Sequence, residues 1–206
     1  KSALKSGENE VVIRVGADPD AIGRANPDGF DFEKARYIPG IFDSVSLTLS
    51  GTPRLENVQV APDIAGQQAK VRVYLDGSRA TGVEVEIREA KSGKVAGQST
   101  ATADAGVKEL DVTVPVADCH RWSPEDPFLY RLVVRSRGDE FQTRFGMREF
   151  RFDPATRRAM LNGQPYFMRG SNITLYRFFE DSERGTLPWD DAWVRKLHQR
   201  VKEMHW

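Results

Sequence analysis

Val71-Arg72-Val73-Tyr74-Leu75-Asp76-Gly77, followed by Val83-Glu84-Val85-Glu86-Ile87, is the stretch that decides the fold. Apolar and other residues alternate with a period of two, and Asp-Gly punctuates the end of the first run. That is the pattern of half-buried antiparallel strands joined by tight turns. The same rhythm extends outward on both sides. Leu55, Val58 and Val60 precede it; Leu110, Val112 and Val114 and then Leu132 and Val134 follow it. Turn signals at Pro62-Asp63, Asp76-Gly77, Ser92-Gly93 and Arg137-Gly138 break the runs. Six or seven short strands in this span predict an immunoglobulin-like antiparallel β-sandwich, and nothing between Thr52 and Phe145 reads as a helix longer than a turn.

The flanks read differently. Residues 11–15 (Val-Val-Ile-Arg-Val) and 45–49 (Val-Ser-Leu-Thr-Leu) are β-type, and Val45, Leu47 and Leu49 share one face. Between them, residues 16–44 are rich in Gly, Pro and Asp but carry Phe30, Phe32, Tyr37, Ile38, Ile41 and Phe42, so the stretch reads as an ordered, packed connection rather than a free linker. Beyond Phe145, Met160-Leu161-Asn162-Gly163-Gln164-Pro165 places Asn-Gly between apolar flanks, a strong signal for a type I′ hairpin. Tyr166-Phe167-Met168-Arg169-Gly170 reads as a mostly buried strand of the kind covered on both faces in a parallel sheet.

After Pro188, the segment from Asp190 to Met204 is helical by periodicity. Trp193, Val194, Leu197, Val201 and Met204 line one face, Asp190 or Asp191 is the expected cap, and cations gather toward the C-terminal end. One strand, a loop and one helix make a single βα unit. A lone parallel strand cannot satisfy its backbone or bury its face, so the reading expects a piece of a larger domain. Opening on Lys1 rather than methionine suits a segment of a longer precursor.

Composition bounds the function. Hydrophobic residues make up 39% and charged residues 29% of the 206, with 30 basic against 30 acidic side chains, which fits a globular protein and speaks against a nucleic-acid binder. No run approaches the roughly 18 consecutive apolar residues of a membrane helix, and no membrane partner is expected. Cys119 is the single cysteine and reads as a small hydrophobe rather than a nucleophile.

Four motifs carry a family resemblance. Trp122-Ser123-Pro124-Glu125-Asp126-Pro127-Phe128-Leu129-Tyr130, Phe145-Gly146-Met147-Arg148, Leu161-Asn162-Gly163-Gln164-Pro165 and Arg169-Gly170-Ser171-Asn172 resemble, in order and spacing, glycoside hydrolase family 2, the family of β-galactosidases, β-glucuronidases and β-mannosidases. Upstream, Gly7 to Ile13 and Gly40 to Val45 resemble the last strands of that family's N-terminal jelly roll. The resemblance implies residues 1–51 as the C-terminal part of a sugar-binding-like jelly roll, 52–146 as the immunoglobulin-like sandwich, and 147–206 as the start of a TIM-barrel catalytic domain. Pro124 and Pro127 fix an extended bend, and Trp122 and Tyr130 have the size to anchor it.

The implied activity is that of a retaining exo-glycoside hydrolase, in which two carboxyl groups about 5 to 5.5 Å apart act as acid/base and nucleophile. In the family both come from later barrel strands, beside an Asn-Glu. The only Asn-Glu here is Asn9-Glu10, outside the barrel portion, so no catalytic residue is assigned within this chain. Because barrel sites are built from loops at the C-terminal strand ends, Asn172, Thr174, Tyr176 and Arg177 are the candidate substrate-binding residues. Thr174 stands where the β-galactosidase pattern carries a histidine. A structural reading sets beside this one: Asn172 ties the loop down and Arg177 pairs with Glu180 or Asp181.

Neither a cofactor nor a metal is called for. Glu180, Asp181 and Glu183 read as a solvated acidic loop, and His198 and His205 lie too far apart to chelate one ion. Asn172-Ile173-Thr174 also matches a glycosylation acceptor but sits at an expected barrel rim. Asp31 and Glu33, beside Phe30 and Phe32, read as an interdomain loop rather than a sugar contact. The partner expected of the intact enzyme is a glycan or oligosaccharide, with self-association open and a periplasmic or secreted setting favoured over a cytoplasmic one. The competing reading is a stand-alone β-sandwich, either a carbohydrate-binding module or a purely structural interaction module.

Overall fold

The computed structural model describes residues 5–13, 15, 41, 44–172 and 181–205. It divides into two compact units, Leu47–Met168 and Lys1–Ser46 with Arg169–Trp206.

In the first unit, alternation becomes a two-sheet sandwich. β1 (Leu55–Asp63), β2 (Gln68–Leu75) and β5 (Glu109–Pro115) form one sheet in the order β1-β2-β5. β3 (Thr81–Glu89), β4 (Val95–Ala103), β6 (Tyr130–Arg135) and β7 (Glu140–Phe145) form the other in the order β4-β3-β6-β7. All pairs within the two sheets are antiparallel, with Val71 opposite Val112 and Ile87 opposite Leu132. The side chains that alternate inward, among them Val71, Val73, Val83, Val85, Ile87, Val114, Leu132 and Val134, are buried between the sheets. Each such side chain contributes roughly 1.5–3 kcal/mol of transfer free energy.

The departures from strict alternation have local causes. Leu55 and Val58 are three residues apart yet both buried, because the register shifts between Leu55 and Asn57 and the bulge turns both inward. β4 has no large apolar residue on its inner side; Ser99, Ala101 and Ala103 stand opposite Val85, Val83 and Thr81. Its edge lies against the edge of β5: a Cβ placed on Gly97 would fall 2.1 Å from the Pro115 carbonyl oxygen. Small residues are required there because two backbones approach closely. Pro62, expected in a turn, lies inside the edge strand β1, where its missing N–H costs no ladder bond.

A second, small sheet completes this unit: β8 (Phe150–Asp153), β9 (Arg158–Leu161) and β10 (Gln164–Pro165), in the order β10-β9-β8. Asn162 and Gly163 turn between β9 and β10 with φ of 50° and 81°, the left-handed pair that a two-residue I′ hairpin needs. The expected strand over residues 166–170 is not formed. No ladder includes these residues, and Phe167 is 77% exposed. An apolar run resembles a buried strand in sequence, but it becomes one only beside neighbouring strands.

In the second unit, α1 (Asp191–Glu203) follows a short 3-10 turn at Leu187–Trp189. Asp190 is the cap: its carboxylate accepts the N–H groups of Ala192 and Trp193, and Arg200 and Lys202 occupy the last turn. Trp193, Val194, Leu197 and Val201 are half-buried, whereas Met204 is exposed. The two flanking segments expected as strands, at residues 11–15 and 45–49, pair with nothing among the described residues, and Leu47 is 88% exposed. Alternation alone makes no ladder without a neighbouring strand. Residues 16–40, with the aromatic stretch and Asp31 and Glu33, lie outside the described residues, as do Phe42 and Asp43. Among the described residues, no helix is long and apolar enough to cross a membrane.

Candidate functional site

Of the candidate substrate-binding residues, Asn172 is exposed, and Thr174, Tyr176 and Arg177 lie outside the described residues together with Glu180. Asp181 accepts the backbone N–H groups of Glu183 and Arg184 and pairs with Arg184 at 2.8 Å. Those bonds hold its carboxyl below the usual carboxylate range. Among the described residues, no group of three His, Cys, Asp or Glu side chains is placed to hold a metal.

The side chains that do converge are those of the first three sequence motifs. The bend between β5 and β6 begins where Trp122 donates its backbone N–H to the Met147 carbonyl at 3.0 Å, while Arg121 and Met147 form a parallel bridge. Ser123 Oγ accepts the Asp126 N–H at 3.0 Å, and the Ser123 N–H reaches the Asp126 carbonyl at 3.0 Å, which closes the Ser-Pro-Glu-Asp loop on itself. His120 meets the Asp126 carboxylate through Nε2 and stacks on Phe128 with ring centroids 4.2 Å apart. Phe128 packs edge-on against Tyr130, and Tyr130 against Phe145. The Tyr130 hydroxyl accepts the His120 backbone N–H at 2.8 Å, and burial pushes the phenol pKa up. Cys119, half-buried, packs on the core beside this cluster as the sequence suggests.

Three segments meet at Trp122. Gly146 lies under its ring base, Arg148 stacks over the ring at 4.4 Å, and the Trp122 carbonyl accepts the Asn162 Nδ2 amide at 2.9 Å. Asn162 Oδ1 in turn accepts the Glu149 N–H at 3.0 Å, and the Asn162 N–H donates to the Glu149 carbonyl at 2.8 Å. These bonds are structural: every group in them is satisfied by another part of the chain.

This arrangement coincides with a sequence family. Residues 54–148 match the model for glycosyl hydrolases family 2. These residues form a glycosyl hydrolase family 2 domain. The matched segment takes in all seven sandwich strands and ends at Arg148, on the ring of Trp122. No curated protein matches the chain. Similar solved structures include a Ruminococcus gnavus β-glucuronidase in complex with uronic isofagomine, at 22% identity and a TM-score of 0.44 over 57% of this chain and 19% of that one. A Faecalibacterium prausnitzii β-glucuronidase gives 24% and 0.44, over 58% and 18%. A Dictyoglomus thermophilum β-D-glucuronidase gives 17% and 0.45, over 58% and 19%. The chain thus spans about a fifth of the length of these structures.

Ion pairs hold several carboxylates on the surface of the two sheets. Glu86 is held by Nε and Nη2 of Arg88, at 2.7 and 2.8 Å, with Arg135 nearby at 3.6 Å. Asp111 is held by Arg72 at 2.7 and 2.9 Å. Arg88 first, then Arg135, depresses the Glu86 carboxyl, and Arg72 depresses that of Asp111; Gln142 and Arg135 do the same for Glu140. A carboxyl with a lowered folded-state pKa stabilises the fold above its unfolded pKa, about 4, and that contribution is lost as the pH falls through the folded value. Thermal melts should therefore show a midpoint that is flat above about pH 5 and declines below about pH 4, with Glu86→Gln reducing the slope. A midpoint that rises on acidification would contradict the assignment.

Proposed function

We propose that this chain is a non-catalytic portion of a family 2 retaining exo-glycoside hydrolase that cleaves O-glycosidic bonds in a glycan or oligosaccharide. The observation that carries the proposal is the family 2 match across the sandwich and onto the Trp122–Arg148 clamp. Among the described carboxyls, Asp63, Asp76, Glu86, Asp111, Glu140, Asp153 and Asp181 are held below the usual carboxylate range by hydrogen bonds to a neighbouring side chain or backbone N–H, so none of these seven is poised as the proton-donating acid of a glycosidase.

In this reading residues 1–51 end a jelly roll, 52–146 are the sandwich, and 147–206 open the catalytic barrel. The loop containing Asn172, Thr174, Tyr176 and Arg177 then faces substrate in the whole enzyme. The test is a paired assay on aryl β-glycosides. The 206-residue chain alone should release no aryl alcohol above background, and a longer protein containing it should hydrolyse one such substrate with retention of anomeric configuration. Turnover by the chain alone that disappears on substitution within it would overturn the non-catalytic role. A longer protein that inverts the anomer would overturn the retaining assignment.

A further inference from the structure

We infer that the Asn162 carboxamide is a positioning latch that fixes the β8–β9–β10 sheet to the sandwich. This assignment stands on geometry and does not depend on the hydrolase reading.

The small sheet has little to hold it by itself. β10 contributes two residues, β8 and β9 four each, and Phe152 on β8 is 65% exposed. A short sheet of this kind with an exposed face is only marginally stable unless it is attached to something larger. Asn162 makes the attachment at one point. Its backbone holds the left-handed φ of the hairpin, which frees the side chain to point back across the sheet. Nδ2 donates to the carbonyl of Trp122, forty positions earlier in the chain, and Oδ1 accepts from Glu149, thirteen earlier. One planar amide therefore bridges the bend before β6, the connection after β7 and the β9–β10 turn. No other residue type of this size supplies a donor and an acceptor in one plane while tolerating positive φ. The same Trp122 is fixed to the sandwich by its N–H bond to the carbonyl of Met147, which is wholly buried.

Substitutions can separate the latch from the turn. Asn162→Gly keeps the positive φ and a two-glycine I′ hairpin but removes both side-chain bonds. Asn162→Asp keeps the acceptor for the Glu149 N–H. At neutral pH, however, it sets a charged oxygen against the Trp122 carbonyl, whereas a protonated carboxyl can donate there again. Amide hydrogen exchange on the whole chain, read at residues 149–165 and across β1–β7, provides the test.

For Asn162→Gly, exchange in 149–165 should accelerate about tenfold, the loss expected for two hydrogen bonds released to solvent, with β1–β7 unchanged. For Asn162→Asp, the acceleration relative to the parent chain at the same pH should be present at pH 7 and shrink below about pH 4, where the new carboxyl protonates. The charged groups beside the new carboxyl are Glu149, paired with Arg151 at 3.6 Å, and Arg148 over the Trp122 ring, and each variant is compared with the parent chain at the same pH. Parent-like exchange in the Gly variant would overturn the latch. So would acceleration spread equally over the sandwich, or a ratio for the Asp variant that does not change with pH.

Discussion

Replacing Leu132 with alanine is expected to lower the stability of the sandwich by about 2–5 kcal/mol, the largest effect of any single substitution considered. Leu132 lies in the middle of β6, wholly buried, with Ile87 on β3 beside it in the sheet and Thr143 on the other side. Both neighbouring strands are fixed in register by six paired residues, so the backbone cannot close over a deleted isobutyl group. The cost therefore combines the transfer term with a cavity term. With a urea dependence of about 2 kcal/mol/M, the denaturation midpoint should fall by roughly 1–2.5 M. Thr102→Ala, on the exposed side of β4, should stay within about 0.5 kcal/mol and serves as the control. A loss below about 1 kcal/mol for Leu132→Ala would mean that the two sheets are not packed as described.

Leu132 also illustrates why much of the fold could be read from the sequence. Strands β2, β3 and β5 alternate Val, Leu and Ile with other residues because the inner face of each meets the opposite sheet, and that requirement appears directly as period two, whereas β6 carries Leu132, Val133 and Val134 in succession with all three buried. β4 does not show it. Its edge meets β5 at backbone distance at Gly97, and Ser99 and Ala101 stand on the inner side where large residues would make a strand visible. The helix was legible for local reasons, a capping Asp190 and an apolar stripe. The run from Tyr166 to Gly170 misleads because its apolar residues specify burial without specifying what buries them, and here Phe167 and Met168 face outward. Of the candidate site, Asn172 alone is described, and it is exposed. Asn162 announced a turn and nothing more. Its second role depends on Trp122 and Glu149, whose proximity is set by three-dimensional packing and leaves no periodic trace.

The second large effect is expected from Gly146→Ala, and it tests why the Phe-Gly-Met-Arg motif contains a glycine. The backbone does not demand one, since Gly146 lies outside the left-handed region. Space does. A Cβ at this position would sit 2.7 Å from Trp122 Cβ, 2.8 Å from Cγ and 2.9 Å from Cδ1, at the base of the side chain, where a rotation cannot relieve all three contacts. Either the Trp122 backbone retreats, stretching its 3.0 Å bond to the Met147 carbonyl, or the ring leaves its place under Arg148. Overpacking of this kind costs about 1–3 kcal/mol, and loss of an exposed cation–π contact adds about 0.5–1 kcal/mol. Thermal or urea denaturation should register the sum, and a double-mutant cycle should locate its source. In a Trp122→Gly background all three crowding atoms are gone, so the same glycine substitution should cost less than half as much. Equal costs in the two backgrounds would show that Gly146 is needed for some reason other than the seat it provides for Trp122. A reduced cost would tie two separate motifs, at residues 122–130 and 145–148, to one steric contact: the bend can carry a tryptophan because β7 is followed at once by a residue without a side chain.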